Sequence, residues 1–120
     1  MRKILLVEDD PFLVDMYKTR LEKEGFKVDV VKSGNDFFDA LSRVSPELIL
    51  LDIILPYVDG WEILKELKKK EEYKNTKVIV LSNLSQKEDI EKSKKLGADM
   101  FLVKAHFTPS EIVEKIKEII

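Results

Sequence analysis

Short apolar runs alternate with longer segments of helical periodicity along the whole chain. Three of the runs are almost entirely aliphatic, which is typical of parallel strands that are covered on both faces of a sheet. The second run differs because Asp29 stands between Val28 and Val30, and this alternation favours a position at the sheet edge. The five runs that we predict to be strands are residues 3–7, 27–31, 47–52, 77–82 and 99–104.

The segments between the predicted strands repeat apolar residues every three or four positions, as amphipathic helices do. Asp10 followed by Pro11 predicts the start of the first helix, and Gly25 predicts its end. Ser85 and Glu88 have the spacing of a capping box, which predicts the start of the fourth helix. The apolar stripes predicted for the other helices are Phe37, Leu41 and Val44 in the second, Trp61, Leu64 and Leu67 in the third, and Ile112, Ile116 and Ile119 in the fifth. Gly97 predicts the end of the fourth helix, and Thr108 and Glu111 predict the start of the fifth.

Five strands alternating with five helices predict an α/β fold. The expected architecture is a doubly wound, five-stranded parallel sheet in a three-layer (βα)5 sandwich with right-handed crossovers. A chain of 120 residues has the length of one ordinary domain, so residues 1–120 are expected to form a single domain with no effector domain. In such folds the working site lies outside the carboxyl ends of the strands.

Composition narrows the possible functions. Apolar residues make up 44% of the chain, which is enough for a continuous core, and the absence of cysteine excludes disulfides and thiol chemistry. A net charge of −2 argues against direct nucleic-acid binding, which usually needs a basic excess. No apolar run approaches the roughly 20 residues that a membrane span requires, so we expect no membrane contact and a cytoplasmic location.

Polar side chains stand at the carboxyl ends of four predicted strands. Glu8 and Asp9 follow the first strand, Asp52 ends the third, Ser82 the fourth and Lys104 the fifth. Because parallel strands end at the same edge, these groups are expected to converge there. Clustered carboxylates suit a hard divalent cation such as Mg²⁺, and a lysine with a hydroxyl suits a phosphoryl group. Each residue alone has an ordinary structural explanation, but their joint placement favours a site.

Four segments carry a resemblance to a known family. In this order and spacing, "ILLVEDDP", "LILLDIILPYVDGWEIL", "VIVLS" and "GADMFLVK" resemble the receiver domain of bacterial two-component response regulators, in particular the single-domain chemotaxis regulators. The specific pattern is D-x-x-x-P-x-x-D-G, formed here by Asp52, Pro56, Asp59 and Gly60. The resemblance covers essentially all 120 residues and implies a flavodoxin-like fold.

The resemblance implies a phosphoacceptor and a metal site. Asp52 matches the aspartate that takes a phosphoryl group from a histidine kinase or a phosphotransfer protein. Glu8, Asp9 and Asp52, together with the backbone carbonyl of Ile54, match the positions that hold Mg²⁺. The domain would thus catalyse its own phosphorylation and a slow autodephosphorylation.

The resemblance also implies a conformational switch. Lys104 matches the lysine that pairs with the phosphoryl group, Ser82 the hydroxyl that moves toward it, and Phe101 the aromatic position that follows this movement. The surface of the fourth helix, the fifth strand and the fifth helix would then change shape for a downstream protein that the sequence does not identify. The expected oligomeric state is a monomer or a phosphorylation-dependent dimer.

The segment after Lys104 departs from the family pattern. Ala105 occupies the place where the family usually has proline, often in a cis peptide. A cis bond to alanine would cost about 2.5–4 kcal/mol, so we expect a trans peptide and a rebuilt loop. His106 is expected to be a loop or interface residue, and Asn83 is larger than the alanine usual at its position.

Three alternatives remain open at this point. A haloacid-dehalogenase-like phosphatase also uses an aspartate after a strand, but it needs a second aspartate where this chain has Ile54. A nucleotide- or flavin-binding module needs a glycine- or hydroxyl-rich loop after the first strand, and this chain has "EDDP" instead. The third alternative is a receiver-like scaffold that contacts proteins without phosphotransfer.

Overall fold

The parallel sheet lies at the centre of the molecule. The computed structural model describes residues 2–120 and places the five strands in the order β2-β1-β3-β4-β5, all parallel. The predicted doubly wound α/β sandwich is therefore confirmed, and the second strand lies at an edge as expected. The strands are β1 (Lys3–Val7), β2 (Lys27–Val31), β3 (Leu48–Leu51), β4 (Lys77–Ser82) and β5 (Met100–Val103), and the helices are α1 (Pro11–Lys23), α2 (Phe37–Val44), α3 (Gly60–Lys68), α4 (Lys87–Lys95) and α5 (Pro109–Ile119).

Each strand supplies side chains to two cores, one on either face of the sheet, because successive residues of a strand point to opposite faces. In β1, Ile4 and Leu6 pack with α1 and α5, whereas Leu5 and Val7 pack with α2 and α3.

The predicted bounds of β3 and β5 were each one residue too long at both ends. Within residues 2–120, no helix is long and apolar enough to cross a membrane.

The first helix begins and ends as predicted. The Asp10 carboxylate accepts hydrogen bonds from the backbone N–H groups of Phe12 at 2.9 Å and Leu13 at 3.4 Å. Pro11 occupies the first helical position, where no N–H partner is needed. The helix ends before Gly25, whose φ of +94° is a conformation that favours glycine. This cap places the acidic residues that precede α1 at the carboxyl edge of the sheet.

The predicted start of the fourth helix was wrong by one residue. The cap is Gln86 rather than Ser85, and the Gln86 N–H donates to the Asp89 carboxylate at 3.2 Å, in place of the expected partner Glu88. This helix is weakly packed, because Ser93 is its one buried residue. The ammonium of Lys92 lies over the Trp61 ring on α3, with the nitrogen 4.7 Å from the ring centroid.

The start of α5 offers a stability test. Thr108 Oγ1 accepts the Glu111 N–H at 3.2 Å, and the Glu111 carboxylate accepts the Thr108 N–H at 2.9 Å. Replacing Thr108 by alanine leaves the first of these N–H groups without its partner, so the free energy of unfolding should fall by about 1 kcal/mol in urea denaturation. The matched control is Ser110→Ala in the same turn, and an equal loss in both variants would contradict the capping role.

Candidate functional site

Asp52 stands at the mouth of the sheet, immediately after β3. Its backbone N–H donates to the Val7 carbonyl at 3.1 Å, which continues the sheet pairing by one residue. The chain then folds back tightly, since a Cβ atom on Gly60 would lie 2.4 Å from the Asp52 carbonyl oxygen. The Gly60 N–H donates to the Ile53 carbonyl at 2.7 Å. The glycine of the D-x-x-x-P-x-x-D-G pattern is therefore required by this close approach.

The Asp52 carboxylate is buried, with 6% of the residue exposed, and both of its oxygens have partners. Oδ1 accepts the backbone N–H of Ile53 at 2.7 Å and that of Ile54 at 3.4 Å. Oδ2 accepts the ammonium of Lys104 at 2.7 Å. A buried carboxylate is tolerated when it is paired and hydrogen-bonded in this way. The contacts also fix the direction in which the carboxylate faces the cleft.

Lys104 joins Asp52 to a second buried carboxylate, that of Glu8. The ammonium contacts Glu8 Oε1, and Glu8 Oε2 accepts the Asp10 N–H at 3.1 Å. Burial alone would lower the pKa of Lys104, but its hydrogen bonds to Asp52 and Glu8 outweigh burial and raise the pKa. Burial raises the pKa of Glu8 despite the hydrogen bond from Lys104. Lys104 thus bridges two buried carboxyl groups, and contacts of this charge-assisted kind are among the stronger hydrogen bonds in proteins.

Three carboxylates at this edge could bind one cation. Glu8, Asp9 and Asp52 each offer an oxygen, and these oxygens lie within 4.8 Å of one another. Glu8 and Asp52 are buried whereas Asp9 is exposed, so the cluster opens to solvent on one side. Oxygen donors of this kind fit Mg²⁺, which keeps several of its waters. Ile54, whose carbonyl was the expected fourth ligand, lines the same cleft of about 280 Å³.

The cleft contains the predicted hydroxyl of Ser82, whereas Phe101, the expected switch position, lies on β5. Ser82 is fully buried at the end of β4, lines the cleft, and accepts the Leu84 N–H at 3.4 Å. Phe101 lies on β5, half-buried, and packs against the core on the face of α2 and α3. The structure therefore brings together Glu8, Asp9, Asp52, Ser82 and Lys104 around one cleft, and Phe101 is not among the residues that line it.

Comparison with known proteins decides the family. The protein-family model of the response regulator receiver domain matches residues 4–117 of this chain. The chain belongs to this family. A CheY-like receiver domain protein from Methanospirillum hungatei is 30% identical, with 98% of this chain and 92% of that chain covered and a TM-score of 0.89.

Two further receiver structures are similar to this receiver domain. The BeF3-activated N-terminal receiver domain of Klebsiella pneumoniae RstA is 26% identical, covers 98% of this chain and 97% of its own, and has a TM-score of 0.90. The Mn(2+)-bound form of the response regulator Rcp1 is 26% identical, covers 98% of this chain and 93% of its own, and has a TM-score of 0.86.

The loop after β5 holds two contacts that sequence reasoning missed. One is the Lys104–Glu8 pair, since the sequence placed Lys104 beside Asp52 and the phosphoryl group but not against Glu8. The other is a hydrogen bond from the Ala105 N–H to Asn83 Oδ1 at 3.1 Å. The Lys104–Ala105 peptide is trans, as predicted. A short turn over Lys104–His106 follows β5 in this receiver domain. His106 is exposed and does not line the cleft.

Proposed function

We propose that this receiver domain accepts a phosphoryl group on Asp52 from a phosphohistidine of a histidine kinase or phosphotransfer protein. The observation that carries the proposal is the Asp52 carboxylate itself. Backbone N–H groups and Lys104 orient it at the mouth of the sheet, and Glu8 and Asp9 lie beside it. Mg²⁺ held by Glu8, Asp9, Asp52 and the Ile54 carbonyl would supply positive charge that neutralises the phosphoryl oxygens. The Mn(2+)-bound form of Rcp1, a similar response regulator, supports binding of a divalent cation by this receiver domain.

The transfer is a displacement at phosphorus. An Asp52 oxygen forms the new O–P bond as the N–P bond of the phosphohistidine breaks, and the bonding electrons stay on the imidazole nitrogen. The imidazole leaves as the neutral ring when its other nitrogen carries a proton. Lys104, already at Asp52 Oδ2, would pair with an incoming phosphoryl oxygen, and Ser82 would donate its O–H to another. Little covalent assistance is needed, because positioning and charge neutralisation dominate such transfers.

Apolar side chains around the cleft support docking of a protein donor. Phe12 on α1 is 72% exposed, and Ile54 and Tyr57 after β3 are 62% and 85% exposed. Within residues 2–120, these three are the large apolar or aromatic residues with high exposure, and they all follow strand ends at the carboxyl edge. Exposed apolar residues that follow the strand ends favour a protein contact at this edge of the sheet.

Phosphorylation is proposed to shift a two-state equilibrium. Ser82 would move toward the new oxygens, Phe101 would fill the space that it leaves, and the surface of α4, β5 and α5 would change for a downstream protein. The weak packing of α4 supports this proposal, because few buried contacts oppose its displacement.

We expect beryllofluoride with Mg²⁺, a mimic of the acyl phosphate, to change amide exchange over residues 84–97 more than over α1. The expectation follows from the single buried residue of α4, compared with the three of α1. Hydrogen exchange with and without beryllofluoride measures it. Equal protection of residues 84–97 in both conditions would refute the switch.

The direct test is incubation with acetyl phosphate and Mg²⁺, followed by intact-mass measurement and peptide mapping. The expected result is a gain of one phosphate, located at Asp52. No gain is expected when EDTA is present during the incubation. Absence of any gain would favour a receiver-like scaffold without phosphotransfer. Continuous turnover of a generic phosphomonoester would instead support an aspartate-nucleophile phosphatase.

A further inference from the structure

The turn that contains Lys104 makes few backbone hydrogen bonds, although the side chain of Lys104 itself reaches Asp52 and Glu8. It spans Lys104–His106 and is closed by the Phe107 N–H on the Lys104 carbonyl at 3.4 Å, which is long for a hydrogen bond. The Ala105 N–H makes the shorter bond, to Asn83 Oδ1 at 3.1 Å. In the part of the chain that the structure describes, this is the one side-chain hydrogen bond to the backbone of the turn. Ala105 is exposed, so packing does little to fix it.

Asn83 connects the two loops that carry the candidate phosphoryl-binding groups. It follows Ser82 directly, and its side chain reaches across to the residue after Lys104. Asn83, Ser82 and Lys104 all line the cleft that contains Asp52. The ammonium of a lysine is at the end of a flexible four-carbon stem, so its position depends on where the backbone holds the base of that stem.

We infer that Asn83 is a positioning residue for Lys104. By holding Ala105, it keeps the base of the lysine stem where the ammonium reaches both Asp52 and Glu8. Without this bond, the ammonium would spend less time on the two carboxylates, which are also candidate metal ligands. Mg²⁺ binding would then meet less competition, while stabilisation of an incoming phosphoryl group by Lys104 would weaken. The second consequence rests on the proposed function, whereas the restraint on the turn does not.

The first measurement is backbone amide exchange of Ala105 by NMR in the metal-free protein. Asn83→Ala should accelerate this exchange about fivefold, the factor that corresponds to one ordinary hydrogen bond. The matched control is Asn75→Ala, because Asn75 is also exposed but lies away from the cleft, before β4. Unchanged exchange at Ala105 in Asn83→Ala would overturn the inference, whether or not the wild type accepts phosphate.

The second measurement separates a positioning role from general damage. In Asn83→Ala, the rate of phosphorylation by acetyl phosphate should fall about fivefold while Mg²⁺ binds at least as tightly as in the wild type. In a Lys104→Ala background, Asn83→Ala should change the rate no further, because its effect acts through the lysine. Weaker Mg²⁺ binding, or the same fold-loss without Lys104, would overturn the inference. A wild type that takes up no phosphate refutes the proposed function instead, and Ala105 exchange then decides the role of Asn83.

Discussion

Replacing Asp52 by asparagine is expected to abolish phosphate incorporation from acetyl phosphate. The amide has nearly the shape of the carboxylate, so the fold should be preserved, but its oxygen is a far weaker nucleophile. The amide also removes one of the three carboxylates that lie within 4.8 Å of one another, which should weaken Mg²⁺ binding. Intact-mass measurement of the wild type and the variant after the same incubation gives the answer.

The matched control for this change is Asp59→Asn. Asp59 belongs to the same sequence pattern but is exposed, and it caps α3 by accepting the Glu62 N–H at 3.0 Å. Asparagine caps a helix about as well as aspartate, so this variant should fold and accept phosphate like the wild type. Phosphate on Asp52→Asn in the same yield would mean that another residue is the acceptor.

Replacing Lys104 by alanine is expected to destabilise the metal-free protein by about 3–5 kcal/mol, because it leaves two buried carboxylates without their cation. The side chains of Lys104, Glu8 and Asp52 are each at most 9% exposed, so water compensates little for the loss. Urea denaturation in EDTA measures the change in the free energy of unfolding. The control is Lys95→Ala on α4, where the lysine is exposed.

Magnesium should reverse much of this loss. A cation that binds only the folded state at a hundred times its dissociation constant contributes about 2.7 kcal/mol. The variant should gain more from Mg²⁺ than the wild type, because no ammonium competes for the carboxylates. A metal-free loss no larger than that of Lys95→Ala would show that the Lys104 bridge does not stabilise the fold.

The sheet and the location of the site could be predicted from the sequence because both follow from simple regularities. Aliphatic runs such as Leu48–Leu51 identify buried parallel strands, and parallel strands deliver their last residues to one edge. Asp52 and Lys104, 52 positions apart, were therefore expected to meet, and the structure brings them to 2.7 Å.

The partners of each side chain at that edge could not be predicted in the same way. Lys104 was assigned to a phosphoryl group, but its ammonium contacts Glu8 as well as Asp52. A flexible stem allows several partners, and only the three-dimensional distances select among them. The bond between Asn83 and Ala105 likewise leaves no periodic signal in the sequence.

The prediction of where α4 starts failed for a different physical reason. Ser85–Glu88 and Gln86–Asp89 offer the same capping spacing one residue apart, and caps differ by only about 1 kcal/mol. A buried apolar stripe would normally fix the choice, but α4 buries only Ser93. Where packing is weak, local preferences decide the helix boundary, and here two of them were nearly equivalent.

The contact between Lys92 and Trp61 gives this molecule an intrinsic optical reporter. Trp61 is the single tryptophan, and the Lys92 ammonium from α4 lies 4.7 Å from the centroid of its ring. A displacement of α4 that withdraws this charge alters the electric field at the indole and therefore its emission. The proposed switch could then be followed in real time by fluorescence, on the unlabelled protein.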